Sequence, residues 1–168
     1  IHADISNLII SKYSLKKILK NLVEKMKAQI KFYYSENKLK SAIFVTKEEA
    51  PLYDLLIKHK SGELPCQIPC IISNHKLLKH IADQFEIPFY YLKVSLDTKH
   101  EQEKKIQNLL KEKNIDLLIL ARYMQILSNK FVDFYKGRII NIHHGFLPAF
   151  KGSRPYRKAW ERGVKIIG

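Results

Sequence analysis

The chain has 168 residues, 30 Lys+Arg against 16 Asp+Glu, a formal charge of +14 and 46% hydrophobic residues. That is one domain's length with a small appendage, and it is too apolar for a disordered chain. No apolar run approaches the roughly 20 residues of a membrane span and no signal-peptide pattern opens the chain, so a cytoplasmic protein without a membrane partner is expected.

The basic excess consists of 25 Lys and only 5 Arg, spread through both halves. A phosphate track would cluster its charge and favour the Arg fork, so nucleic acid is not an expected partner. Glycines stand at 62, 137, 145, 152, 163 and 168, in no arrangement that makes a GxGxxG or a Walker loop. Cys66 and Cys70 are spaced C-x3-C with no second pair, which reads as two buried thiols.

In chain order, Leu15, Ile18, Leu19, Leu22, Val23 and Met26 fall at helical spacing behind Ser14, read as the N-cap. Ile30–Tyr34 reads as a strand. The polar stretch Ser35-Glu36-Asn37-Lys38 then marks a boundary, dividing residues 1–38 from 39–168. From there strands and helices alternate. Ala42–Val45 is a strand, and Pro51 opens a helix carrying Leu52, Leu55 and Leu56. Cys70–Ser73 is the next strand, followed by Asn74 as cap of a helix with Leu77, Leu78, Ile81 and Phe85 inside. Phe89–Leu92 is a third strand and Lys99–Lys113 a helix with Ile106, Leu109 and Leu110. Leu117–Leu120 is apolar throughout, the mark of a strand covered on both faces. Ser128–Tyr135 is a short helix, and Ile139–Ile142 and Val164–Ile167 are strands. The alternation predicts an α/β domain with a mostly parallel sheet flanked by helices. A first residue that is not Met, and a last strand with nothing after it, predict a piece of a longer protein.

Ligands of such sheets sit beyond the carboxyl ends of the strands. Asn141-Ile142-His143-His144 stands at one of these ends, and period-two alternation places Asn141 and His143 on one face. An amide that donates to an oxyanion, beside an imidazole that moves a proton, suits acyl-type chemistry. The same residues also suit a turn held by Asn and His hydrogen bonds. Adjacent histidines point apart, so no metal site is read here. His75 and His144 are read as supporting residues, and His80 and His100 as surface ones.

The stretch Asn141 to Gly152 resembles the signature of the formyltransferase family that uses 10-formyltetrahydrofolate, and Ala121 to Ser128 resembles that family's folate-pocket segment. Ile71-Ile72-Ser73-Asn74-His75, the pair His143-His144, Arg154-Pro155-Tyr156 and Glu161 to Gly168 resemble its deformylase branch. Residues 1–34 look like the second half of an amino-acid-binding ACT domain. The resemblance implies a Rossmann-like formyltransferase domain preceded by a partial α+β ACT-like module. It implies hydrolysis of 10-formyltetrahydrofolate to formate and tetrahydrofolate, supplying formate to purine synthesis, with no metal or redox cofactor. By the same resemblance Asn141 holds the oxyanion and His143 serves as acid and base, while Met124, Gln125, Ile126 and Leu127 line the pterin pocket. The implied partners are the folate, an amino-acid effector at the ACT-like module and further copies of the chain.

Two other readings keep the fold: a formyltransferase with an amine acceptor, and a folate-binding module without catalysis. The first strand is followed by Lys47-Glu48-Glu49-Ala50-Pro51, which has no glycine to cradle a substrate phosphate, so water is the favoured acceptor. The family pattern is broken at Gly145, where Ser is usual, and at Ala50-Pro51-Leu52, where His-Cys-Leu is usual. The family's catalytic Asp would lie beyond residue 168, so little turnover is expected of these residues alone.

Overall fold

The first helix, α1 (Lys12–Lys25), belongs to a unit of its own. In the computed structural model residues 1–37 form one unit and residues 38–168 another. The structure describes residues 3–34, 36–95, 98–142 and 155–164. α1 starts one turn before the expected cap. Ser11, in extended backbone, accepts the Ser14 N–H on its Oγ at 3.1 Å and so satisfies a donor the first turn leaves open. The expected strand Ile30–Tyr34 does not form. A strand exists through a ladder partner, and no neighbouring strand is present among the described residues of this unit. Phe32 and Tyr34 instead lie under the ammonium groups of Lys16 and Lys12, 5.7 and 5.6 Å from the ring centroids.

In the second unit β1 (Lys40–Val45) leads into α2 (Ala50–Ser61), with Pro51 in its first turn where no N–H is missed. Gly62 ends that helix at φ +84°, the left-handed turn that a side chain would strain. β2 (Gln67–Ser73) begins three residues earlier than the apolar run suggested, because the Gln67 N–H already bonds the Leu39 carbonyl at 2.8 Å. α3 (Lys79–Gln84) follows. Asn74 does not cap it: Leu78 occupies the cap position, and the Asn74 amide is engaged elsewhere. Then come β3 (Phe89–Tyr91), α4 (Lys99–Glu112), β4 (Leu117–Ala121), α5 (Asn129–Phe134) and β5 (Ile139–Ile142). Ser128 caps α5, its Oγ accepting the Phe131 N–H at 3.3 Å. A last helix, α6 (Pro155–Glu161), was not foreseen; an Arg157–Glu161 ion pair at 2.8 Å spans one turn of it. The strand expected at Val164–Ile167 lies outside the described residues beyond Val164.

The five strands are all parallel, in the order β3-β2-β1-β4-β5. Their side chains alternate between two cores. Ala42, Phe44, Cys70, Ile72, Leu118 and Leu120 face Ile106 and Leu110 of α4 and Phe131 of α5. Ile43, Val45, Ile71, Ile119 and Ala121 face Leu52 and Leu56 of α2 and Ile81 and Ala82 of α3. Sequence becomes architecture through this covering of both faces: a strand with two apolar faces is stable only between two helical layers. The chain winds from β1 out to β3, then returns across the sheet through α4 to β4, on the other flank of β1. That reversal is a topological switch point, and in parallel sheets of this kind the ligand crevice lies outside the carboxyl ends of the two flanking strands, here β1 and β4. Among the described residues no helix is long and apolar enough to cross a membrane.

Both cysteines are buried and unbridged. Burial pushes the Cys70 thiol from 9.0 up to about 11, against a smaller opposing pull from Lys113. Burial, then the Glu103 charge, pushes the Tyr123 phenol from 10.0 up to about 12. Unfolding frees both to ionise at their ordinary values. Between about pH 9 and 12 the unfolded chain therefore holds fewer protons than the folded one, and stability falls as pH rises. Urea midpoints measured across alkaline buffers are expected to decline over this window, and Tyr123→Phe is expected to flatten its upper part. A midpoint independent of alkaline pH would refute the burial of these groups.

Candidate functional site

Four strand ends border the crevice. β1 is followed by Thr46, β2 by Asn74 and β4 by Arg122, and β5 closes on the pair Asn141-Ile142. The polar centre is Thr46, a side chain only 6% exposed. Its Oγ1 donates to Asn74 Oδ1 at 2.9 Å and accepts the Met124 N–H at 2.9 Å. One hydroxyl thus joins the ends of three strands, using its single proton and a lone pair. Asn74, 7% exposed, is buried to the same degree. A buried polar group persists only when paired, and here the partners are each other.

Arg122 leaves β4 with φ +59°, left-handed backbone that costs a non-glycine residue of order 1–3 kcal/mol. The turn swings the chain so that the Met124 N–H faces back to Thr46. Tyr123 stays in the core, its ring 5.3 Å from that of Phe44 at 75°, an edge-on contact. Beyond Tyr123 the segment comes to the surface: Met124 is 51% and Ile126 84% exposed, while Gln125 and Leu127 are half-buried. Leu127 rests against the core on the α4 and α5 side. The segment ends at Ser128, whose N–H donates to Glu103 Oε1 at 2.8 Å and whose Oγ makes a short hydrogen bond to Glu103 Oε2. Glu103, on α4, is itself buried. Among the described residues no hydrogen bond engages the backbone of Gln125, Ile126 or Leu127. These are peptide groups free to meet a ligand, beside two exposed apolar side chains.

Asn141 lies on β5 opposite Leu120, which in turn lies opposite Phe44, so these residues share the face turned to α4 and α5. Asn141 and Ile142 are exposed at the strand's end, and Ile142 pairs with Ala121, immediately before the segment that carries Met124 to Leu127. The structure therefore sets the Asn141 strand end beside the segment 124–127. His143, His144 and Gly145 lie outside the described residues. His75 is half-buried, its N–H donating to Ser73 Oγ at 3.1 Å. Lys47, Glu48 and Glu49 are exposed before α2, and Glu49 stands at its cap position without a side-chain hydrogen bond. Among the described residues no three His, Cys, Asp or Glu side chains are grouped to hold a metal.

Sequence reading missed Thr46 and Glu103, and read Asn74 as a helix cap and as part of the family-like stretch Ile71 to His75 rather than as the partner of Thr46. The signal for Thr46 was a hydroxyl directly after a strand apolar on both faces. That for Glu103 was its spacing, three residues before Ile106 and seven before Leu110, which sets a carboxylate on the buried stripe of α4.

A family model described as formyl transferase matches residues 39–168. The chain is 46% identical over 164 residues to the formyltetrahydrofolate deformylase of Synechocystis sp., covering 98% of this chain and 57% of that protein. The crystal structure of a formyltetrahydrofolate deformylase from Pseudomonas syringae pv. tomato matches with a TM-score of 0.85 and 34% identity, over 94% of this chain and 53% of that one. A phosphoribosylglycinamide formyltransferase from Anaplasma phagocytophilum matches with a TM-score of 0.64 and 33% identity, over 77% of this chain and 61% of that one. The chain spans about half the length of the curated relatives it matches.

Proposed function

The chain belongs to the formyl transferase family, and from that premise we propose that the whole protein hydrolyses 10-formyltetrahydrofolate to formate and tetrahydrofolate. The observation that carries water as the acceptor is the start of α2. A phosphate-bearing amine substrate needs free N–H donors and positive charge at the loop after β1. This loop sets one cation, Lys47, against Glu48 and Glu49, has no glycine, and places Pro51 in the first helical turn. The two carboxylates repel a phosphate and the proline withholds a donor.

In this reading the folate's flat ring lies along the segment 124–127. The open backbone groups of Gln125, Ile126 and Leu127 hydrogen-bond its edge, and Met124 and Ile126 supply apolar contact. Water attacks the formyl carbon as it gives up a proton to His143, acting as base. The carbonyl oxygen becomes an oxyanion that accepts hydrogen bonds from the Asn141 amide, and His143 passes a proton to the departing nitrogen as the carbon–nitrogen bond breaks. Formate and tetrahydrofolate leave, with no metal or redox cofactor required. The family's Asp, in a segment beyond residue 168, would orient His143 and activate the water. Residues 1–38 are assigned to an ACT-like module that takes an amino-acid effector and supports self-association. A cytoplasmic setting, with formate passing to purine synthesis, completes the proposal.

The test is an assay of the whole protein with 10-formyltetrahydrofolate, with and without glycinamide ribonucleotide. Formate release that needs no amine is the expected result. Folate consumption only when the amine is present would overturn hydrolysis in favour of transfer, and folate binding without either product would leave a binding module.

A further inference from the structure

The segment assigned to the folate ring is held at both of its ends by buried side chains from other parts of the chain. At Met124 the holder is Thr46, 78 residues away in sequence. At Ser128 it is Glu103, 25 residues away. Neither group extends to the exposed rim, since Thr46 is 6% and Glu103 8% exposed. Between the two anchors, nothing among the described residues ties the backbone. We infer that Thr46 and Glu103 are positioning residues: they clamp the rim segment so that its three free peptide units meet the folate ring in one fixed arrangement. The inference rests on the folate reading above for the identity of the ligand, but not for the existence of the clamp.

The physical case is one of preorganisation. A loop ordered only on binding gives up conformational freedom at that moment and binds more weakly for it. Here both ends of the segment are already held before any ligand arrives. Thr46 uses both its donor and an acceptor site, and Asn74 fixes its rotor by taking the proton, so that a lone pair is left facing Met124. Glu103 takes two donors from a single residue, Ser128, and that residue also caps α5. The second anchor therefore locks the segment to the start of a helix. Met124's own N–H is consumed by the clamp and is not available to a ligand.

Amide hydrogen exchange in the full chain, together with calorimetric binding of tetrahydrofolate, tests this. Thr46→Val keeps the shape and removes the hydroxyl; Thr46→Ser keeps the hydroxyl. Thr46→Val is expected to fold, to speed exchange at Met124 roughly tenfold, and to leave the amides inside β1 and β4 unchanged. Thr46→Ser is expected to match the wild type. Glu103→Gln, which loses one acceptor, is expected to speed exchange at Ser128. If Thr46→Val unfolds the protein, or speeds the whole sheet equally, Thr46 is a general stability residue and the inference fails. It fails also if Met124 stays as protected as in the wild type.

The binding arm expects tetrahydrofolate to bind Thr46→Val about tenfold more weakly than the wild type or Thr46→Ser. Equal affinities with a loosened Met124 would overturn the clamp's role in binding. A wild type that binds no tetrahydrofolate would sink the folate reading instead, while the exchange results still decide whether the segment is clamped.

Discussion

Asn141→Ala in the whole protein is expected to lower kcat for formyl-folate hydrolysis roughly a hundred- to a thousandfold, about 2.7–4 kcal/mol of transition-state stabilisation. Tetrahydrofolate affinity is expected to stay close to that of the wild type. The division follows from where the side chain stands. Asn141 is the next-to-last residue of β5, exposed, beside the strand that leads into the segment 124–127, and outside that segment itself. A group that stabilises charge developing only in the reaction affects the rate more than the binding of a product without that charge. Stability is expected to change little, because no buried contact is removed. Steady-state formate release and calorimetry on one preparation check both halves. A variant turning over near the wild-type rate would remove Asn141 from the mechanism, and one that loses binding and rate equally would make it a ring-binding residue.

Phe44→Ala carries the largest expected effect on stability, about 3–5 kcal/mol. Phe44 is fully buried on β1, the strand that pairs with both β2 and β4, and it sits edge-on to Tyr123. Truncation removes a ring from the middle of the core on the α4 and α5 side and leaves a cavity that the two neighbouring strands cannot close. Urea denaturation is expected to show a lowered midpoint at an unchanged slope. The effect reaches the site as well, since Tyr123 lies between Arg122 and Met124 and loses its main aromatic neighbour. A loss below about 1 kcal/mol would mean that the core closes around the gap.

The sheet was legible because its strands obey one rule. Runs such as Ile43-Phe44-Val45 and Leu117 to Leu120 are apolar at every position, which only two helical layers can satisfy. Helix caps were less legible. Ser14 and Asn74 are good capping residues, yet Ser11 stood one turn earlier, and the Asn74 amide was drawn to Thr46 by burial. A local propensity loses to an unpaired buried polar group, whose cost is larger. Ile30–Tyr34 has strand composition, but composition supplies no ladder partner. At the site, strand-end position singled out Asn141, since ends can be counted along the sequence, whereas the segment 124–127 came from the family resemblance. The groups that hold this segment could not be found that way. Thr46 and Met124 meet only because β1 and β4 are neighbours, a fact of strand order rather than of any local pattern.

That same strand order has a bearing on how folding and binding are linked. The crevice is bounded by β1 and β4, and the Lys40–Asp116 hydrogen bond at the far end of that ladder already spans 76 residues. Contacts of such separation require the intervening chain to be gathered first, so they carry a high loop-closure entropy. No form of the chain lacking the β1–β4 ladder has the crevice, and no stretch of sequence carries a remnant of it. A molecule that occupies it therefore meets only the completed sheet. Its whole binding free energy adds to the resistance of the fold against unfolding, growing with the logarithm of its concentration.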